Sequence, residues 1–374
     1  MTQYNSRNSI KQTTKNPLIM SGLNSNLTIL DTIPTKSTSI LDKRLETLRK
    51  AKKTTVKLSK RIRNISEPHR KLSERMENCQ KFHSLATLKC GHGNVKSVAS
   101  SFRCQSKLCS YCSSKRSGNI VKQLAQPLKQ YVNDKELQPF FITLTFKNTE
   151  TLPTTNELKK ARINFFNSKF MRENGFHSSI GSMELKIGKN SKQWHLHYHF
   201  LILLSFPNFE CNSNGKFPIE VNQRMSETWE KANGGKGFIV DGRKFQIGKE
   251  KSFSEIFKYI TKLNEVDKWS DKQLIEFLNW SKNRKQFYNI GKTRNNPEFK
   301  QLIKDCNEDV EVKETLPKKC DKCSCDEYLV NNYKWDFINS QYILRSYFVG
   351  KVNENGFIRP TGQEIFVKPK ILYH

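Results

Sequence analysis

The segment Trp194-His195-Leu196-His197-Tyr198-His199-Phe200-Leu201-Ile202 places three of the chain's 8 histidines at alternate positions. Successive side chains of a β-strand point to opposite faces. His195, His197 and His199 would therefore share one face, and Leu196, Tyr198 and Phe200 the other. Two imidazoles at i and i+2 can share a first-row divalent cation. The preceding apolar stretch carries one acid, Glu184, among Met183, Leu185 and Ile187. A carboxylate beside two imidazoles makes a three-ligand site with positions left open for substrate, as a catalytic metal requires. The bland alternative is a row of solvent-facing histidines on a half-buried sheet. Three on one strand face before an apolar run weigh against it.

A second constellation lies in Ser252-Phe253-Ser254-Glu255-Ile256-Phe257-Lys258-Tyr259-Ile260-Thr261-Lys262-Leu263. Phe253, Ile256, Phe257, Ile260 and Leu263 follow helical spacing and predict a core-facing stripe. Glu255, Tyr259 and Lys262 then share the other face, with Lys258 beside them. A phenol is a competent nucleophile toward a phosphate whose charge is stabilised by a cation. A carboxylate one turn away can activate water, and Lys262 can stabilise phenolate or phosphate charge. Alone, the segment reads equally as an ordinary helix surface.

Cysteines form the third signal. Cys109-x-x-Cys112 has zinc-knuckle spacing, and Cys90 and Cys104 complete a four-thiolate set, with Cys79, His83 and His92 as stand-ins. Arg103, Lys107, Lys115 and Arg116 make the surroundings basic. A further group, Cys306, Cys320, Cys323 and Cys325, has irregular spacing because Cys323 and Cys325 are only two apart.

These residues sit in a strongly basic chain of 374 residues, with 65 Lys+Arg against 35 Asp+Glu and a formal charge of +30. That excess points to a polyanionic partner, nucleic acid first. The apolar content of 36% and the 24 Phe exclude a wholly disordered chain. No apolar run is long enough for a membrane span, and the N-terminus has no sustained apolar segment of a secretory signal. A cytoplasmic location is expected, where thiols stay reduced and clustered cysteines read as metal ligands.

Four regions are expected. Residues 1–75 form a basic arm, flexible over 1–38 and able to form helices from Ser39 to Met76. Residues 76–125 form a cysteine-rich zinc module and 126–290 the catalytic unit. Residues 291–374 form a basic, aromatic region that can serve origin recognition or self-association. Within the catalytic unit, strands are predicted over 138–148, 179–188, 194–206 and 237–248, and helices over 154–174, 220–233, 252–266 and 271–287. The order β-α-β-β-α-β-α predicts an α+β fold, a ferredoxin-like antiparallel sheet with helices on one face.

Taken together, the segments resemble the rolling-circle plasmid replication initiators of the HUH endonuclease superfamily, in particular the small-plasmid Rep proteins of Gram-positive bacteria. The first family motif, F-x-T-L-T, is matched by Phe141-Ile142-Thr143-Leu144-Thr145. The second, His-hydrophobic-His with a Trp three residues before, selects His197 and His199 through Trp194. The third is matched by Glu255, Lys258, Tyr259 and Lys262. The resemblance covers roughly residues 88–265 and includes a similar cysteine stretch before the first motif.

It implies a sequence-specific DNA nickase. A divalent metal, Mg or Mn, held by His197, His199 and Glu184 polarises the scissile phosphate at the plasmid double-strand origin, presented single-stranded or extruded. Tyr259 becomes joined to the 5′ phosphate, releasing a 3′-OH that primes the host polymerase, with a host helicase as further partner. Glu255 activates water at termination. Lys258, Arg103 and Arg116 are expected on DNA, and zinc on Cys90, Cys104, Cys109 and Cys112. His195 either assists or substitutes as a ligand. A homodimer is compatible; a membrane partner is not expected. The alternatives are a single-tyrosine HUH transposase and, from a different class, a non-enzymatic zinc-dependent DNA-binding regulator.

Overall fold

Alternation of apolar and polar residues decides the middle of the chain. Gln138–Phe146 forms β3, Phe176–Ile187 β4 and Trp194–Leu204 β5. All three are rich in the β-branched and aromatic residues that fit a pleated surface. β4 and β5 are a hairpin closed at Ile187–Trp194, and Lys192 in its turn takes a φ of 57°. β6 (Gly237–Lys244) and β7 (Phe287–Gly291) complete a five-stranded sheet in the order β6-β3-β5-β4-β7, with every neighbouring pair antiparallel. The computed structural model describes residues 35–92, 95–99, 102–247, 266–282, 284–285, 287–308 and 316–367.

One face of this sheet packs under α4 (Thr155–Phe166), α5 (Lys169–Glu173), α6 (Ile219–Ala232) and α7 (Asp271–Ser281). Leu196, Tyr198, Phe200 and Ile202 meet Phe165, Phe166, Trp229 and Phe277 there. Thr154 starts α4 with a reciprocal cap to Glu157, which satisfies two otherwise orphaned donors. The opposite face is divided. Phe141, Ile180, Leu201 and Leu203 are covered by Ile120, Leu124 and Leu128 of α3 (Ser110–Asp134) and by Phe299 and Ile303 of α8 (Pro297–Glu308). The histidine half lies outside that apolar core. The expectation of helices on a single face is thus corrected: α3 and α8 bring apolar stripes that can be buried only against the second face.

A second antiparallel sheet joins the two ends of the chain. β1 (Phe82–Leu88), β2 (Lys96–Ala99), β8 (Glu327–Asp336), β9 (Gln341–Val352) and β10 (Ile358–Pro360) run in the order β10-β9-β8-β1-β2, and β11 (Ile365–Phe366) pairs with β9. Register matches Phe82 to Lys334 and Leu88 to Tyr328. The region expected to stand apart after residue 290 therefore shares a sheet with the cysteine module.

α1 (Thr35–Ile65) and α2 (Arg70–Asn78) precede both sheets. Leu48 packs with Leu85 and Tyr333 of the second sheet, while Leu58 and Ile62 enter the core of the first. From residue 35 the basic segment is a packed helix that bridges two cores; residues 1–34 lie outside the described residues. The boundary expected at 125/126 falls inside α3. Among the described residues, no helix is long and apolar enough to cross a membrane.

Candidate active site and metal centres

The register of β3, β5 and β4 explains the histidine face. Thr143 stands opposite His199 and Thr145 opposite His197, while across the hairpin Ser182 faces His199 and Glu184 faces His197. Phe141, Thr143 and Thr145 therefore look out on the histidine side, and Ile142 and Leu144 are buried on the other. The Phe141 ring stacks on His199 at 5.7 Å between centroids. Thr143 Oγ1 and His199 Nδ1 share a hydrogen bond of 3.2 Å, and Thr145 Oγ1 and His197 Nδ1 one of 3.1 Å. Each hydroxyl engages the Nδ1 side, the second-layer contact metal-binding imidazoles use to fix ring and tautomer. Thr143 and Thr145 were not predicted as site residues. The signal was their i, i+2 spacing within the same alternation as the histidines.

Glu184 is 2% exposed. Its Oε2 accepts from His199 Nε2 at 2.9 Å, and Lys186 Nζ lies 3.1 Å from Oε1. Burial pushes the carboxyl up, but the His199 hydrogen bond and the Lys186 ammonium outweigh it and hold Glu184 below its ordinary value. His197 is pushed down to about 3, first by burial and then by His195 and Lys186. It is a neutral base at physiological pH, the state a metal ligand needs. His197 and His199 stack at 6.1 Å. His199 and Glu184 touch directly, with His197 alongside, so the trio is brought together without the close ligand spacing of the cysteine groups. His195 Nδ1 pairs with Asn148 Oδ1 at 2.6 Å and its ring meets His197 edge-on at 4.2 Å. Trp194 is buried on the opposite face, where its Nε1 donates to Glu276 at 2.8 Å. It locks β5 to α7 rather than taking part in the site.

The residues expected on the third motif, Glu255, Lys258, Tyr259 and Lys262, lie outside the described residues. Of the cations expected on DNA, Arg103 is half-buried. Arg116 is 5% exposed and donates to the Gln105 carbonyl at 2.9 Å, which braces the cysteine loop.

Among the described residues, two groups of three or more His, Cys, Asp or Glu have ligand atoms all within 4.8 Å of one another. The first is Cys79, Cys104, Cys109 and Cys112, the second Cys90, His92, Cys320 and Cys323. The predicted quartet is therefore corrected at one position: Cys79 joins Cys104, Cys109 and Cys112, and Cys90 belongs to the other group. Cys79 caps the end of α2, whereas Cys90 leaves β1 in the opposite direction after seven strand residues. His83, a possible stand-in, is engaged at both nitrogens, with Gln80 Oε1 at 2.8 Å and Ser97 Oγ at 3.2 Å. The side chain of Cys306 lies outside the described residues.

Sulfur separations in the first group are 3.5 Å (Cys79–Cys112), 3.6 Å (Cys79–Cys109) and 3.8 Å (Cys104–Cys112). A tetrahedron with Zn–S arms of about 2.3 Å has edges of about 3.8 Å, whereas a disulfide would bring two sulfurs to about 2 Å. The donor set fits a structural zinc. Cys109 is the N-cap of α3 and Cys112 lies in its first turn, where the helix dipole favours thiolate. Hydrogen bonding from Cys104 holds Cys109 well below its ordinary value. Lys52, 3% exposed, donates to the backbone carbonyls of Glu77 and Cys79. Its buried ammonium would offset the negative charge that four thiolates around one divalent cation leave behind.

The architecture is thus an α+β scaffold with a polar histidine–carboxylate face and two cysteine-rich groups able to hold metal. The model of the Rep_1 family, described as replication protein, matches residues 95–343. That span includes β3 to β8, the histidine face and three of the four cysteines of the first group. The chain belongs to this family of replication proteins, which act in plasmid replication initiation. No curated protein and no solved structure matches the chain.

Proposed function

We propose that the protein is a metal-dependent DNA nickase that initiates rolling-circle replication at a plasmid double-strand origin, in the manner of HUH endonucleases. The observation that carries this reading is the meeting of two motifs on one sheet face: Phe141, Thr143 and Thr145 hold His199 and His197 beside Glu184. Support comes also from the spatial order β6-β3-β5-β4, the fourth, first, third and second of these strands in sequence, as in a ferredoxin-like sheet. The family match and the charge of +30 agree with DNA as partner.

His197, His199 and Glu184 would hold Mg or Mn. That cation would supply electrophilic polarisation of the scissile phosphate. Thr143 and Thr145 fix the imidazoles, and Lys186 keeps the buried carboxylate ionised. Tyr259, once deprotonated, attacks phosphorus; a Tyr Oη–P bond forms and the P–O3′ bond breaks. The leaving 3′ oxygen takes up a proton and becomes the primer terminus. At termination Glu255 removes a proton from water for the second cut, and Lys262 stabilises the charge that develops. Arg103 and Lys258 would contact the phosphate backbone.

The test is supercoiled origin plasmid with Mg²⁺ or Mn²⁺. The wild type should yield nicked circles and a protein–5′-DNA adduct. Tyr259→Phe should abolish both while origin binding persists. Full nicking by that variant removes Tyr259 from the mechanism, and binding without cleavage by the wild type favours a zinc-dependent DNA-binding regulator.

A further inference from the structure

The sequence spacing around Cys320 looked irregular only because it was read along one segment. Cys320-Asp321-Lys322-Cys323 is itself a C-x-x-C turn, and its complement is Cys90-Gly91-His92, well over two hundred residues earlier. The two half-sites meet because β1 and β8 pair antiparallel to the end, with Leu88 opposite Tyr328. Lys89 N donates to Glu327 O at 2.9 Å just beyond that register.

Each half-site is shaped to present its ligands. Gly91 takes a φ of 71°, a conformation that costs a side-chain-bearing residue about 1 kcal/mol or more. Its N–H donates to Leu88 O at 2.9 Å, and this tight turn sends Cys90 and His92 to the same place. On the other side Cys320 N donates to Cys325 O, and Ser324 N to Cys320 O, both at 2.8 Å. The backbone N–H groups of Lys322 and Cys323 turn in toward the Cys320 sulfur, as in a closed C-x-x-C loop.

We infer that Cys90, His92, Cys320 and Cys323 form a second, three-thiolate–one-imidazole zinc site that staples the end of β1 to the start of β8. His92 Nδ1 lies 3.4 Å from Cys323 Sγ and 3.7 Å from Cys320 Sγ. Arms of about 2.3 Å to sulfur and about 2.0–2.1 Å to nitrogen at a tetrahedral angle give an edge of about 3.6 Å. Thiolate and imidazole in tetrahedral array select zinc over the hard cations of the histidine face. Cys325 is excluded as fourth ligand: its sulfur turns toward Glu327 O at 3.8 Å. The buried apolar residues beside the site, Leu316, Tyr328 and Val330, pack with Leu88 and Cys320. This inference is independent of the nuclease reading, since the site lies on the second sheet and touches no residue assigned to catalysis.

Metal content of the full-length chain, purified without chelator and measured by plasma mass spectrometry, tests it. Two zinc ions per chain are expected, falling to one in Cys320→Ser/Cys323→Ser, whereas Cys325→Ser keeps two. His92→Cys should also keep two, as a four-thiolate site. Zinc X-ray absorption of the wild type should show one nitrogen among eight ligands averaged over both sites. Amide exchange should rise at residues 86–90 and 326–330 of the double variant and stay unchanged in β3 and β5. One zinc per wild-type chain with only sulfur around it, an unchanged count in the double variant, or loss of a zinc in Cys325→Ser would each overturn the assignment.

Discussion

The two cysteine groups hold similar donors in opposite surroundings. Cys79, Cys104, Cys109 and Cys112 are each at most 1% exposed and sit inside the main core beside Leu58, Ile62 and Met76. Cys323 and His92 of the other group are exposed, and only Cys320 is buried. The first group is joined to α1, α2 and α3, so its ligands are part of the packing between helices. The second joins two strand ends that hydrogen bonds already hold. Loss of a buried donor therefore exposes polar atoms to an apolar core, whereas loss of an exposed donor leaves a site that water can solvate. Burial decides how much folding depends on a metal proposed for each group.

The largest expected effect breaks this comparison most directly. Cys112→Ser should lower unfolding free energy by about 3 kcal/mol or more. Cys323→Ser should cost about 1 kcal/mol. Denaturant unfolding of both variants checks the difference, and equal losses would mean that burial is not the deciding variable. Next in size is a kinetic contrast. A chelator added to the folded chain should remove the zinc of the exposed group in a fast phase and that of the buried group only as the chain unfolds. A colorimetric metal indicator follows the two phases; a single phase that tracks unfolding would erase the distinction.

The histidine face sharpens the same comparison, because Glu184 and His199 are buried, His197 is half-buried, and all three are held by neighbouring side chains. Thr145→Val removes the hydroxyl at His197 Nδ1 and should weaken Mn²⁺ binding about tenfold, the low end for such supporting contacts. Calorimetric titration with Mn²⁺ measures it, with zinc content unchanged. Smallest at neutral pH, where it vanishes, is a pH dependence. His197 has its folded value lowered to about 3, against about 6.5 unfolded. Between those values the unfolded chain takes up a proton that the folded chain does not. Stability of the metal-free chain should therefore fall as pH drops from 6.5 toward 3, by at most about 1.4 kcal/mol per pH unit from this group. His197→Asn should flatten the slope of melting temperature against pH over that window.

Much of the first sheet and its helices was legible in the residues. The run of β3, the helix of α4 and the β4–β5 hairpin follow local periodicity, and period-two alternation alone put His195, His197 and His199 on one face. Glu184 was expected beside the imidazoles from its place in the adjacent strand, but its hydrogen bond goes to His199, one step along from its register partner His197. Packing of α3 and α8 on the histidine side of the sheet was not legible, because an apolar stripe such as Ile120, Leu124 and Leu128 says that a helix is covered, not by which face of which sheet. The bridging role of α1 escaped for a similar reason: its basic composition outweighs the few buried positions, Leu48, Leu58 and Ile62, that dock it.

The sequence by itself determined which residues can bind metal or attack phosphate, and which of them share a strand face, since side-chain direction is set by backbone geometry within a few residues. Only the tertiary structure decided that Cys79 and not Cys90 closes the first sulfur group, and that Cys90 and His92 meet Cys320 and Cys323. Those choices depend on how β1 pairs with β8 and how α2 meets α3. Contacts between distant segments are chosen by the burial of whole surfaces, and spacing along the chain carries no measure of that.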